Sequence, residues 1–368
     1  MNVSWDNIYG QSNAKKILSN ILNSKRIPHA LLFLGPDGVG KHFTAVRFTQ
    51  LLNSVGSNNV SEAILTKINN LSEPYIKYII PLPRGKNELP GDSPLEKLNK
   101  ETLDNLKTEI NCKIKNPYYK INLPYSNNIK ITSIRDIRNF LSYNFDDIKY
   151  RVILIEDAHL MSDESQNALL KSLEEPPKNF IFILTTNRPE LLFETINSRC
   201  WHIEFDPLSV DDVTKILTEF YQIEIKKAAI AAQFSSGSVI NAIELVNHNV
   251  ESLLDLTLRV LRYTMTLKIY SAVKDINDFY NNNSESLKLL IKMLIIWLGD
   301  IQKVRNGCST YYFNNYTENI IKFNKSFPNA NIEAVVLALN NILESLKNNT
   351  NLNIAILNLI FELTSLRN

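Results

Sequence analysis

Cysteine is scarce: three residues in 368, Cys112, Cys200 and Cys308, standing far apart. That spacing excludes a CxxC metal pair and argues against a disulfide framework, so a reducing compartment, the cytoplasm, is expected. An excess of charge is also lacking, since 40 basic and 38 acidic residues leave a formal charge of +2. No whole-molecule field draws such a chain to nucleic acid or to a membrane, and any DNA contact has to be local. The opening stretch MNVSWDNIYG carries neither the basic segment nor the apolar run of a secretory signal, and export is not expected. Long apolar runs are missing too. The strongest, Leu287 to Leu298, is interrupted by Lys288 and Lys292, is too short to cross a bilayer, and reads as a buried helix.

What is present begins as an alternation of helix and strand. A helical stretch over Ser12–Ser24 precedes the apolar strand HALLFLG, a glycine turn and a second helix from Lys41. Two further apolar runs, RVILIE at 151–156 and FIFILTT at 180–186, flank the helical SDESQNALLKSLEEPP, whose Pro176 and Pro177 mark its end. A fourth run, WHIEF, occupies 201–205. Strands alternating with helices favour a mostly parallel sheet covered on both faces. Between about 54 and 128 the pattern weakens into Asn, Lys, Pro and Tyr, an insertion partly helical at best, in which IIPLPRGKNELPGDSP reads as an exposed loop. After Asp206 amphipathic helical spacing takes over, first to about Asn249 and then to the terminus. The expected organisation is an α/β domain over 1–206, a small helical domain over 207–249 and a helical domain over 250–368.

Directly after the first strand stand Gly35, Pro36, Asp37, Gly38, Val39, Gly40, Lys41 and His42, which fit G-x-x-x-x-G-K and fail at the final Ser or Thr. In such a loop the glycines let backbone N–H groups converge on phosphate oxygens, the helix presents its positive end, and the lysine reaches the terminal phosphates. The missing hydroxyl is a magnesium ligand. His42 is a poor replacement, because magnesium requires hard oxygen donors at about 2.0–2.1 Å. Thr44 lies two residues along the helix, roughly 200° around it. The alternative is a tight strand-to-helix turn that holds no ligand.

Glu156 and Asp157 close the third apolar run. A phosphate-loop ATPase uses the reverse order, the Asp orienting magnesium through water and the Glu polarising the attacking water. Exchanging the two displaces each carboxylate by about 1 Å, and such a shift at a reacting centre costs about a hundredfold in rate. The alternative is a pair of solvated acids capping the following helix.

From Phe180 onward, FIFILTTNRPELLFETINSRCWHIEF resembles the segment of clamp-loader ATPases that runs from a polar sensor, here Asn187, to a Ser-Arg-Cys motif, here Ser198, Arg199 and Cys200. The preceding ALLKSLEEPP and the start WDNIYGQSNAKKIL resemble the same AAA+ clamp-loader family, whose N-terminal segment would bring Ile8, Tyr9, Gly10 and Gln11 near an adenine. The resemblance covers 1–53 and 129–248, and reaches the helical remainder through NLNIAILNLIFEL. It implies an AAA+ phosphate-loop domain with a parallel sheet, a lid domain and a C-terminal collar through which subunits associate. Arg199 would then project into a neighbouring subunit's nucleotide site, where a permanently charged planar guanidinium stabilises charge on the transferred phosphoryl group. The alternative for Arg199 is a surface or salt-bridged arginine. Cys200 fits a small buried filler better than a ligand.

Three departures separate this chain from the family's motor subunits: His42, the swapped Glu156–Asp157, and Ile240 where a lid-domain arginine would stand. All three fall on hydrolysis within this chain, while the arginine serving a neighbour is kept, which resembles the delta-prime class of subunits in DNA polymerase III. The implied partners are gamma/tau-like and delta-like subunits, a sliding clamp, and primer-template DNA through the assembly, with no membrane. Own ATP hydrolysis is expected to be weak or absent, with ATP or ADP bound weakly if at all. The family's zinc module is not expected, since Cys112 stands alone between the phosphate loop and the acidic strand. Competing readings are an active motor subunit that tolerates His42, a different AAA+ ATPase of recombination, repair or helicase loading, and a pure interaction scaffold.

Overall fold

The apolar runs of the first two hundred residues become strands of one parallel sheet in the computed structural model, which describes residues 4–24, 26–54, 62–89, 91–142, 147–280, 284–308, 311–346 and 351–367. The strands are β1 (Ala30–Leu34), β2 (Ile76–Ile79), β3 (Arg151–Ile155), β4 (Phe180–Thr186) and β5 (Trp201–Glu204), in the order β2-β3-β4-β1-β5. Leu32 pairs with Leu184 on one side and His202 on the other, and Ile153 with Phe182. All residues of β3 and β4 are buried, as unbroken apolar runs require when both faces are covered.

Parallel pairing demands crossovers, and helices supply them. α1 (Ser12–Ser24) leads into β1, α2 (Lys41–Ser54) follows it, α5 (Ile131–Ser142) precedes β3, and α6 (Asp163–Glu174) joins β3 to β4. Ile134, Ile137 and Phe140 of α5 and Leu169 and Leu173 of α6 pack on the sheet face that carries Leu32, Ile153, Ile155, Phe182 and Leu184. Because side chains alternate along a strand, Leu31, Phe33, Val152, Leu154 and Ile183 point the other way, and they are equally buried. α2 contacts β3 and β4 there, and α1 contacts β5. The turns that follow the carboxyl ends of β1, β3 and β4 therefore gather along one edge, the place where open parallel sheets build their sites.

The region expected to be a polar insertion is more structured than its composition implies, and it contributes a strand. β2 lies between α3 (Glu62–Asn69) and α4 (Lys100–Lys115) and pairs in parallel with β3, Ile76 against Val152 and Ile79 against Ile155. Its sequence IKYI hides the signal, because Lys77 is tied to Asp136 (2.5 Å) and Glu73 (2.6 Å) and only the two isoleucines are fully buried. An edge strand needs one partner and little apolar surface. Ile80, Leu82, Leu106 and Leu123 then form a small separate core that fastens α4 to the chain beyond β2. Residues 55–61 and 90 of the expected insertion lie outside the described residues.

The chain divides into two packed units, residues 1–225 with 236–241, and 226–235 with 242–368. The first unit ends in α8 (Val210–Tyr221), and the second is helical, built from α9 (Ile225–Phe234), most of α10 (Val239–Asn247), α11 (Val250–Met265), α12 (Ile269–Tyr280), α13 (Ser284–Arg305), α14 (Thr317–Ser326), α15 (Ile332–Ser345) and α16 (Leu352–Thr364). The apolar run of the sequence is the inner part of α13, where Leu287, Leu290, Ile291, Leu294, Leu298 and Ile301 are buried. No single helix among the described residues is long and apolar enough to cross a membrane.

Candidate functional site

The turn after β1 holds three glycines at positive φ, +147° at Gly35, +73° at Gly38 and +93° at Gly40. A Cβ on Gly35 would stand 2.4 Å from Phe205 O, and one on Gly38 would stand 2.7 Å from Ile240 N. Glycine is thus required both by the backbone angle and by the closeness of neighbouring chain. Lys41 begins α2, but its ammonium does not reach outward. Nζ donates to Gly35 O and Pro36 O, both at 2.6 Å, and the residue is 7% exposed. Burial lowers its pKa against the opposing pull of Asp37, Asp157 and Glu156. Thr44 is buried, its Oγ1 donating to Gly40 O at 2.9 Å, so it offers nothing to a ligand.

His42 and the acidic pair meet at the end of β3. His42 Nδ1 lies 3.2 Å from Glu156 Oε2, and its ring packs edge-on against Tyr78 of β2 at 5.3 Å. Burial, reinforced by the charge of Lys113, lowers the imidazole pKa, so the ring is neutral at neutral pH. Tyr78 Oη also donates to Glu156 Oε2, and Lys113 Nζ donates to Glu156 Oε1 at 3.0 Å. Burial raises the Glu156 pKa, but the Lys113 ammonium and the hydrogen bonds outweigh it and hold the carboxyl well below its ordinary range. Asp157 is in the left-handed region, φ 54°, with its N–H 3.3 Å from Thr185 Oγ1. Burial and then the neighbouring Glu156 charge raise its pKa to about 6. The two carboxylates thus stand in opposite environments, Glu156 committed to internal partners and Asp157 half-way to neutral at mildly acidic pH.

Gly38, Gly40, Lys41, His42, Glu156 and Asp157 line one space, and Gly35 joins them through its carbonyl, which accepts from Lys41. Asn187 is exposed just past β4, where it lines a second cavity of about 460 Å³ with Asp37, Lys120, Asp157, His159 and Arg188. Ile240 closes over the turn at Gly38. In the N-terminal segment Gln11 is buried and ties that segment to the chain just past β5, its Nε2 donating to Asp206 O (2.7 Å) and its Oε1 accepting from Asp206 N (3.0 Å). Arg199 stands apart from this cluster, following α7 (Glu194–Asn197). Its Nη2 is 3.0 Å from Glu174 Oε1 and its Nη1 donates to Thr195 O at 3.0 Å, with the side chain 35% exposed. The adjoining Cys200 is buried, which pushes its thiol pKa up to about 12. Among the described residues no group of three or more His, Cys, Asp or Glu side chains is arranged to hold a metal ion.

Sequence reasoning missed Tyr78 of β2 and three further residues of the cluster. Lys113, Tyr118 and Lys120 all come from the supposed insertion and line the space beside the glycine turn. The run NPYYK carries the composition of a surface loop, and no local signal marks it as part of a site.

Residues 10–209, more than half of the chain, match the family described as DNA polymerase III, delta subunit. The chain belongs to that family. Curated relatives include the DNA polymerase III subunit tau of Bacillus subtilis (strain 168), 27% identical over 300 residues that cover 79% of this chain and 46% of the relative. The DNA polymerase III subunit gamma of Buchnera aphidicola subsp. Schizaphis graminum is 27% identical over 250 residues, 67% of this chain and 58% of the relative. The chain spans about half the length of these curated relatives. Among solved structures, a DNA polymerase III gamma subunit-related protein from Thermotoga maritima aligns with a TM-score of 0.43 at 15% identity, covering 95% of this chain and 99% of that one.

Proposed function

We propose that the chain is a clamp-loader subunit of DNA polymerase III of the delta-prime class, a non-hydrolysing member that supplies Arg199 to the nucleotide site of a neighbouring subunit. The observation that carries this reading is the contrast between two positions. Glu156, at the place of an ATPase acid, is engaged by Lys113, His42 and Tyr78. Among the described residues, the Arg199 guanidinium is held by a carbonyl and by an ion pair to Glu174, itself half exposed. Exposed ion pairs contribute about 0–1 kcal/mol, so releasing Arg199 to a partner's phosphate costs little. Residues 207–249 would serve as the lid and 250–368 as the collar through which the subunits associate, with clamp and primer-template DNA engaged by the whole assembly.

The test is a loader reconstituted with its partner subunits, its composition verified by mass. Arg199→Ala is expected to leave assembly intact and to lower DNA- and clamp-stimulated ATPase. An arginine finger contributes about 10³–10⁵ in rate at one site, but only one site of the assembly faces this chain, so the total falls less. Arg199→Lys should rescue poorly, because an ammonium lacks the planar fork. Unchanged ATPase and loading in a complete Arg199→Ala complex would refute the role.

A second reading, an ATP-hydrolysing motor subunit, is favoured by one observation: the relatives named above are tau and gamma subunits. It expects turnover by the isolated chain that Lys41→Ala abolishes. The delta-prime reading expects the isolated chain and Lys41→Ala to be equally inactive.

A further inference from the structure

A glycine turn, a following lysine and a helix N-terminus make a phosphate site only if the space in front of them is free. Here that space is taken by residues 113–120. α4 ends with the Asn116 N–H bonded to Cys112 O, and Asn116 Oδ1 accepts from the Tyr118 N–H (3.0 Å), which turns the chain back toward β1. Lys113, 4% exposed, donates to Tyr119 O (2.7 Å) and to Glu156 Oε1 (3.0 Å). Tyr118, 3% exposed, lies so near Gly40 that a Cβ there would be 3.3 Å from its ring. The same ring meets Phe43 at 5.9 Å and Phe220 at 5.4 Å, and its hydroxyl accepts the Tyr9 N–H at 3.3 Å. Lys120 Nζ is 3.0 Å from Asp37 Oδ2 within the glycine turn itself.

We propose that residues 113–120 are a built-in occupant of the phosphate-loop site, tying together the segments around it and closing it to nucleotide. The volume left beside Gly38, Gly40, Lys41 and His42 is about 40 Å³. A small-molecule site needs about 300–1,000 Å³, whereas a remnant of this size admits a few waters, and the cavity of about 460 Å³ beyond Asp37 is lined by none of Gly35, Gly38, Gly40, Lys41 or His42. The charges are matched internally as well. Three ammonium groups, Lys41, Lys113 and Lys120, face three acids, Asp37, Glu156 and Asp157, so no surplus positive field is left for a polyphosphate. Lys113 stands against Glu156 as a tethered cation where an ATPase would set magnesium beside its acids. The segment spans the N-terminal stretch at Tyr9, the glycine turn at Asp37 and the acidic strand end at Glu156, three places that a bound nucleotide would otherwise bridge. The inference concerns this chain's own site and holds whether or not Arg199 serves a neighbour.

The full-length chain is titrated with magnesium ATP and with ADP by calorimetry. No saturable binding is expected into the millimolar range, and saturable binding abolished by Lys41→Ala would overturn the proposal. The double variant Lys113→Ala/Tyr118→Ala, with its fold checked by circular dichroism, removes the occupant and not the loop. It is expected to bind ADP at least about tenfold more tightly than the parent. A folded double variant with no gain would show that the degenerate loop alone excludes nucleotide, and would overturn the occupant's role. Hydrogen exchange on the unaltered chain covers the case in which the double variant does not fold. Peptides covering 36–44 and 113–122 should both be protected and should not respond to millimolar ATP. Slowing of the first or speeding of the second on adding ATP would mean displacement, and would equally overturn the proposal.

Discussion

The acids at the end of β3 show how neighbouring residues of one chemical type are driven apart by what surrounds them. Glu156 accepts from Lys113 and Tyr78, which keeps it ionised. Asp157 is half-buried beside that charge, with no equivalent side-chain donor among the described residues, and its pKa rises to about 6. A carboxyl whose folded pKa lies above its ordinary 3.8 contributes stability that is fully present below 3.8 and is lost as pH rises through about 6. Above pH 6 the ionised Asp157 is therefore a cost to the fold. Asp157→Asn removes that cost and keeps the left-handed φ of 54° acceptable, since Asn tolerates this region. Denaturant unfolding should find Asp157→Asn more stable than the parent by on the order of 1–2 kcal/mol above pH 6, after allowance for solvent screening. The gap should close below about pH 4, where both side chains are neutral. Glu156 runs in the opposite sense: its depressed pKa supplies stability above the ordinary carboxylate range that fades as pH falls below it.

At the scale of elements, α4 matters because it aims Lys113. The helix is amphipathic but short of apolar contact, with Leu106 fully committed to the small core of Ile80, Leu82 and Leu123. Truncating a buried leucine costs about 2–5 kcal/mol when the surroundings cannot collapse. Leu106→Ala is expected near the lower end, because the cluster is small and open to solvent on one side, and its effect should be local. Limited proteolysis of Leu106→Ala should cut faster between 113 and 127 than in the parent, while the sheet, anchored by β1, β3 and β4, stays intact. Cleavage at an unchanged rate would mean that α4 is held by something other than this core. The unaltered 100–123 stretch should resist protease, although its composition alone reads as an exposed insertion.

For the whole molecule, the proposed role requires the helical unit to meet other chains. Ile354, Leu357 and Phe361 of α16 are exposed by 54%, 43% and 61%. Their spacing of three and four residues puts them on one face of the helix, while Ala355, Ile356, Leu359 and Ile360 fill the interior. An apolar stripe of this kind suits association more than solvent. Phe361→Asp is expected to leave the unfolding transition of the isolated chain within about 0.5 kcal/mol, as surface substitutions do. Association with partner subunits, measured by mass photometry or sedimentation, should weaken at least about tenfold, since truncating a central aromatic anchor costs about 2 kcal/mol or more. Full assembly by Phe361→Asp would exclude this face from the proposed contact between subunits.

The strands β1, β3, β4 and β5, the glycine turn, the acids at 156 and 157 and the Ser198–Cys200 tripeptide were all legible as local patterns. Unbroken apolar runs and fixed glycine spacings are properties of contiguous residues, and burial on both faces writes such runs into β1, β3 and β4 directly, whereas the edge strand β5 buries only Ile203. β2 escaped because each face of this short edge strand buries one isoleucine and half-covers one polar residue, Lys77 or Tyr78, which Asp136 and Glu156 receive. The occupant of the glycine turn was decided by tertiary structure alone. Lys113 finds Glu156 across 43 residues, Lys120 finds Asp37 across 83, and Tyr118 finds Tyr9 across 109. Such pairings depend on where the sheet and the Leu106 core deliver each segment, and no spacing within the sequence records that delivery.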